Sequence, residues 1–464
     1  MTDMAVPQSA RAREAPLGAQ FLDYTAARFW ALFALVFLIL VSRKPDAFFH
    51  AQFYAEDAVV FYREQLVYGV RSLLFPYNGY LHLVPRFTAL LASFFPAIAA
   101  PFIFSVVGAV LQSFSYTFVY RPECRYLLHS DALRAAAAVV LAAVLNSSEM
   151  LGNVLQVQWH LILVGLILLF LPNGAGMPES GLGRKAAVFL SLVICFTTPM
   201  LVVVLPFSVW RMLKSSGREA IIGLAFAIAL TLQALVFLAS PAQAFAPFAG
   251  GTLTLMHHLG IALVVSWTYL VFLANLAGKD LAVNVDHAAT PALFYLSVCS
   301  VALAFLWLAL RATRHERKVL LVCLYLAAAS IAIPLATRHY VEYFQSFTGA
   351  TLTVQSFTGA NLIVPRYFTT SAYILTFLIA RQIDGSRLFR RQWMKPLVLI
   401  AVFACGIRGN FKAAPDPDTH WTASSQAVQT WIDDRRRGIA APHVEVPILP
   451  APPWTLSLPG SDEH

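Results

Sequence analysis

Two carboxylates stand side by side at Glu56 and Asp57, in the string YAEDAVVFYREQL that also carries Tyr54. One carboxylate can take a proton from an attacking hydroxyl while its neighbour orients the group, alone or beside a divalent metal such as Mg or Mn that the pair would hold. A plainer reading stands beside this one: the pair opens a short amphipathic helix over 56–66, where acids in the first turn are favoured by the helix dipole. Downstream, FPYNGYLHLVPRF gathers Tyr77, Tyr80 and His82 as hydrogen-bonding groups, with Arg86 as a fixed guanidinium suited to a phosphate. An interfacial aromatic belt with a snorkelling arginine accounts for the same residues. The Asn78-Gly79 pair predicts a turn. VPR returns in VPRYF, where Arg366 and Tyr367 mirror Arg86 and Phe87, so the two arginines could share a phosphate or diphosphate.

A third string, EMLGNVLQVQWHL, concentrates Glu149, Asn153, Gln156, Gln158, Trp159 and His160. Amides, an acid and an aromatic ring in one turn can read sugar hydroxyls by hydrogen bonding and stacking; capping of two span ends fits equally. Arg338 with His339, and His257 with His258, lack the spacing of a metal site. No phosphate-cradling G-x-x-x-x-G-K-[ST], dinucleotide G-x-G-x-x-G or nucleophile-elbow G-x-S-x-G occurs, which argues against a cytoplasmic nucleotide-using site.

The elements that must position these residues are set by composition. Of 464 residues 58% are hydrophobic and only 12% charged, about half the charge of an ordinary soluble domain. Apolar runs of spanning length recur over 27–407, which predicts an all-α polytopic bundle of about 11 spans. The net charge of +9 sits in short loops, where it sets orientation rather than binding nucleic acid. The five scattered cysteines suggest neither disulfides nor metal. Charge places a tail, 1–26, in the cytoplasm, a transmembrane domain over 27–409 with outer loops 43–86 and 337–366, and an outer tail, 410–464. Pro96 and Pro101 divide 87–120 into an interfacial helix and a span. The stretch 186–210 is either one span or two pieces broken at Thr197-Thr198-Pro199. The second outer loop repeats itself, QSFTGATLTV then QSFTGANLIV, matching at eight of ten positions, as a tandem duplication in a tolerant loop would.

A multi-span chain with an acid pair in its first outer loop and an arginine at the following span entrance resembles the GT-C superfamily of integral membrane glycosyltransferases. The series ED, GYL, PR, GN…QWH and a late PRYF is similar to that of a family of bacterial polytopic membrane proteins of this type. The resemblance implies inverting transfer of a sugar from a polyprenyl-phosphate donor to an envelope glycan or lipid acceptor on the outer face of the bacterial inner membrane. Asp57 or Glu56 would be the base, with Arg86 or Arg366 near the lipid phosphate. Two rival classes stay open: a transporter or flippase of lipid-linked saccharides, and a non-catalytic subunit of envelope-polysaccharide assembly. The order Glu-Asp and the small tail of about 55 residues depart from the commoner GT-C pattern.

Overall fold

The computed structural model describes residues 15–145, 150–171, 181–240, 369–386, 391–450 and 454–460, with scattered residues between 271 and 332 and at 388–389. The chain is predominantly helical. The longer helices are α1 (Ala15–Arg43), α2 (Leu83–Ala92), α3 (Ala100–Thr117), α4 (Asp131–Val144), α5 (Val157–Phe170), α6 (Gly181–Thr197), α7 (Leu205–Lys214), α8 (Gly217–Ala239), α9 (Thr369–Gly385), α10 (Met394–Asn410) and α11 (Trp421–Arg436). Among the described residues three segments, Ala26–Arg43, Ala97–Tyr120 and Gly217–Ala239, are long and apolar enough to cross a membrane. A fourth arises if α6 and the Pro199–Lys214 piece are counted as one broken span. Spans expected over 259–276 and 292–310 fall mostly outside the described residues.

Two helices expected to cross the bilayer are short. At 14 residues each, α4 and α5 reach only about 21 Å, less than a hydrocarbon core of about 30 Å. Their environment explains the apolar pattern differently. α5, VQWHLILVGLILLF, is apolar on every side and almost wholly buried, so it lies inside the bundle. The alanine run of α4 leaves room for Leu399 and Phe403 of α10, which pack against Ala136, Ala137 and Val140. Ser130 caps α4 by accepting from the Leu133 amide at 3.3 Å.

The proline expectations divide. Pro96 ends the α2 region, but Pro101 sits in the first turn of α3, where its missing N–H breaks nothing. The 186–210 stretch is broken after Thr198, with the two pieces bent by 115°. At the opposite end of the chain α1 already begins at Ala15, inside the expected tail.

One arginine locks three helix ends together. Arg43, the last residue of α1, donates to the carbonyls of Ala142 and Leu145 at the end of α4 and of Asn410 and Phe411 at the end of α10, at 2.5–2.9 Å. A cation at carbonyl-bearing helix C-termini is favoured by the helix dipole and satisfies groups with no intrahelical partner.

At this end the first loop and the C-terminal tail, which the sequence suggests are separate, share one core. Phe53, Phe61, Tyr62 and Phe104 pack with Trp421, Val428, Trp431 and Leu456. The tail supplies α11 and a hairpin of β1 (Val444–Pro447) and β2 (Thr455–Leu458), with Val444 opposite Leu458. Leu449 pairs with the first loop as a strand would: its amide donates to Phe53 and its carbonyl accepts from Ala55. Arg63 Nε reaches the Ser457 carbonyl at 2.7 Å.

Candidate functional site

The acid pair lies just after this strand-like pairing. Ala55, with φ of 44°, turns the chain into a one-and-a-half-turn π-helix, Asp57–Tyr62, followed by the Arg63–Tyr68 helix; the expected short helix is present but wound in two ways. Ala55 holds a left-handed conformation that is uncommon for a residue with a Cβ. The turn points the two carboxylates into different surroundings.

Asp57 is buried, 3% exposed. Its Oδ2 accepts from the Val154 amide and its Oδ1 from the Leu155 amide, each at 3.2 Å. It stands in the first turn of its own helix, where the helix-dipole reading expects an acid, and at the same time holds the turn before α5. Burial, with a smaller contribution from neighbouring Glu56, pushes its carboxyl well above the usual carboxylate range, against the pull of those two amides. Glu56 is half-buried and accepts a hydrogen bond from the Tyr77 hydroxyl at 3.1 Å.

Tyr77 is placed by the turn that Asn78-Gly79 predicts. Tyr77 and Tyr80 exchange backbone hydrogen bonds at 2.8 and 3.1 Å, and Asn78 and Gly79 both have positive φ, 50° and 82°, as a type I′ hairpin turn requires. The next residues are clasped to the bundle: Gln233 of α8 accepts from the Leu81 amide at 2.9 Å and donates to the Leu81 carbonyl at 3.0 Å. Tyr80 stacks on Phe237 at 5.3 Å, and the Val84 amide donates to Thr197 at the break after α6. His82 is buried with its ring against Phe61 and Tyr77.

Arg86 does not face outward. It is fully buried, paired with Glu64 at 2.5 Å, bonded to the Phe75 carbonyl at 3.0 Å and stacked over Phe61. Desolvation drives a buried guanidinium to its carboxylate partner, and the arrangement holds the loop together instead of presenting the cation to a phosphate.

The sugar-reading set is dispersed as well. Gln158, Trp159 and His160 lie within α5 and are buried; the Gln158 carbonyl accepts from Thr198, Trp159 joins the main core, and His160 Nδ1 meets the hydroxyls of Tyr116 and Tyr373, both at 2.9 Å. Gln156 precedes the helix and is buried. Of the described members of this set, Asn153 meets a cleft. Glu149, His257, His258, Arg338, His339, Arg366, Tyr367 and the 345–364 repeat lie outside the described residues.

That small cleft is lined by Lys44, Asp46, His50, Gln52, Tyr54 and Asn153, with Asp416 from the tail. Lys44 pairs with Asp416 at 2.6 Å, Asp46 accepts from the Asp416 amide at 2.9 Å, and Gln52 accepts from Thr419. Glu56 and Asp57 do not line it. Cleft and acid pair are instead back to back on one turn, because Asn153 Oδ1 and Asp57 Oδ1 share the Leu155 amide. Gly152 makes that turn possible: its φ is 69°, and a Cβ would come within 3.2 Å of the Ala47 Cβ.

Sequence reasoning missed Lys44, Asp46, Gln52 and Asp416. Their only signal was charge or polarity flanking a span end, and they meet across some 370 positions. No three His, Cys, Asp or Glu residues come together among the described residues in a way that could hold a metal. With Asp57 turned to backbone amides and Glu56 to Tyr77, the donor set does not fit the Mg or Mn site that the pair suggests, which needs several oxygen ligands free to point at the ion.

No family model, curated protein or solved structure matches this chain.

Proposed function

We propose that the protein is a polytopic glycosyltransferase of GT-C type with a cytoplasmic N-terminus in a bacterial inner membrane. It moves a sugar from a polyprenyl-phosphate donor to an envelope glycan or lipid acceptor on the outer face. What supports the reading is the division of labour in the acid pair: Glu56 is half-exposed and oriented by Tyr77, while Asp57 is buried and anchored to the turn before α5. Glu56 is then the base that takes the proton as an acceptor hydroxyl attacks the anomeric carbon, and the polyprenyl phosphate leaves with the bonding electrons. Asp57 is a positioning residue, fixing the segment from which Glu56 projects.

The reading is tested by complementing a strain that lacks the gene and profiling its surface glycans. Glu56→Gln is expected to lower transfer by about 10²–10⁴-fold, the usual contribution of a general base, and Asp57→Asn to lower it less. Full restoration of the glycans by both variants would overturn the catalytic assignment and leave the transporter and assembly-subunit readings.

A further inference from the structure

The arginine run that ends α11, Arg435-Arg436-Arg437, lies against an apolar surface outside the helical spans. Arg436 donates to the Ser93 carbonyl at 3.3 Å and Arg435 to the Val67 carbonyl at 3.4 Å, and Arg435 stacks over Trp431 at 5.1 Å. All three arginines are exposed. The segments they touch carry large apolar side chains turned to the outside: Tyr68, Val70 and Leu74 on one, Phe94, Phe95 and Ile98 on the other, with Phe94 73% and Leu74 76% exposed. Large apolar side chains clustered on two segments that one helix end touches call for a cover.

The level of the surface says what covers it. The apolar segment Ala97–Tyr120 begins three residues after Phe94, and Gln429 of α11 accepts from the Ala97 amide at 2.8 Å. α11 therefore packs across the start of a segment long and apolar enough to span, the level at which a bilayer's hydrocarbon gives way to headgroups. Phe94, Phe95 and Ile98 are exposed where that segment begins. Asp433, 4.0 Å from Arg436, and Asp434 offset two of the three positive charges; Arg71 adds another on the 69–74 turn.

We infer that Arg435, Arg436 and Arg437, with the Tyr68–Leu74 and Phe94–Ile98 apolar segments, form a seat for an anionic phospholipid, its phosphate on the guanidinium groups and its upper acyl chains on the exposed rings. The C-terminal helix then lies on the bilayer instead of projecting from it. Such a seat is independent of the catalytic proposal.

The test uses the full chain in nanodiscs that contain spin-labelled phosphatidylglycerol or spin-labelled phosphatidylcholine, and reads the motionally restricted fraction by electron paramagnetic resonance. The wild type is expected to hold the anionic lipid in excess, by about five-fold for each positive charge that Asp433 and Asp434 leave unbalanced. The excess falls towards unity in the Arg435→Gln, Arg436→Gln, Arg437→Gln variant, returns when the three are lysine, and shrinks with salt. Phe94→Ser with Phe95→Ser lowers the restricted fraction of both lipids. Equal retention of the two lipids by the wild type, or an unchanged excess in the triple glutamine variant, would overturn the inference; the lysine variant separates loss of charge from loss of fold.

Discussion

The adjacent acids behave as two different chemical objects because a turn at Ala55 sends one inward. Asp57 has its carboxyl raised by burial, so the folded state holds the proton more firmly than the unfolded chain does. Stability from this group is fully present below the ordinary carboxylate range and is lost as pH rises through the raised value. Thermal melting in detergent is expected to show this decline in the wild type and a flatter profile in Asp57→Asn. Asp57→Ala leaves the Val154 amide without its acceptor while the Leu155 amide keeps Asn153, a loss of about 1–3 kcal/mol for the one orphaned donor, and should melt lower than Asp57→Asn at every pH. Equal profiles for wild type and Asp57→Asn would show that Asp57 does not titrate as its burial dictates.

At the scale of elements, the first loop is seated by contacts made with the bundle rather than by its own propensity. Gln233 offers both halves of its side-chain amide to Leu81 and also donates to the Cys195 carbonyl. Gln233→Leu keeps much of the volume but orphans those backbone groups, and should lower stability by about 1–3 kcal/mol, read as a drop in melting temperature with faster proteolysis near residue 81. Gly406 of α10 plays a comparable part elsewhere: a Cβ there would collide with the Asn275 backbone. Small residues allow such close helix approach, so Gly406→Val is expected to separate the Ala274–Ala277 turn from α10 and to destabilise the chain more than Gly406→Ala, measured by the same melts.

At the scale of the whole molecule, the tail completes the core that the first loop begins. Removing 412–464 takes away Trp421, Val428, Trp431 and Leu456 and exposes Phe53, Tyr62 and Phe104. Limited proteolysis of the truncated chain should cut within 44–100 far faster than in the full chain; an unchanged pattern would mean that the loop folds alone. The Lys44–Asp416 pair joins the two parts across a buried lysine. A double-mutant cycle with Lys44→Met and Asp416→Asn should give a coupling energy above the ~1 kcal/mol ceiling of exposed pairs.

Composition and apolar period alone determine that this chain is helical and has segments fit to cross a membrane, because those properties depend on local hydrophobicity. The Asn78-Gly79 turn was equally legible from the backbone preferences of its own residues, whereas the break at Thr198-Pro199 was one of two readings that 186–210 allowed. The same local signals misled where burial in protein imitates burial in lipid: α4 and α5 are apolar but short and enclosed. Glu56 and Asp57 could be singled out as a pair, yet nothing local distinguishes the half-exposed acid from the buried one. Tertiary structure decided that, along with the sequestering of Arg86 by Glu64, the cleft between Lys44 and Asp416, and the shared core of loop and tail. Desolvation and pairing act between groups that meet only when distant segments fold together.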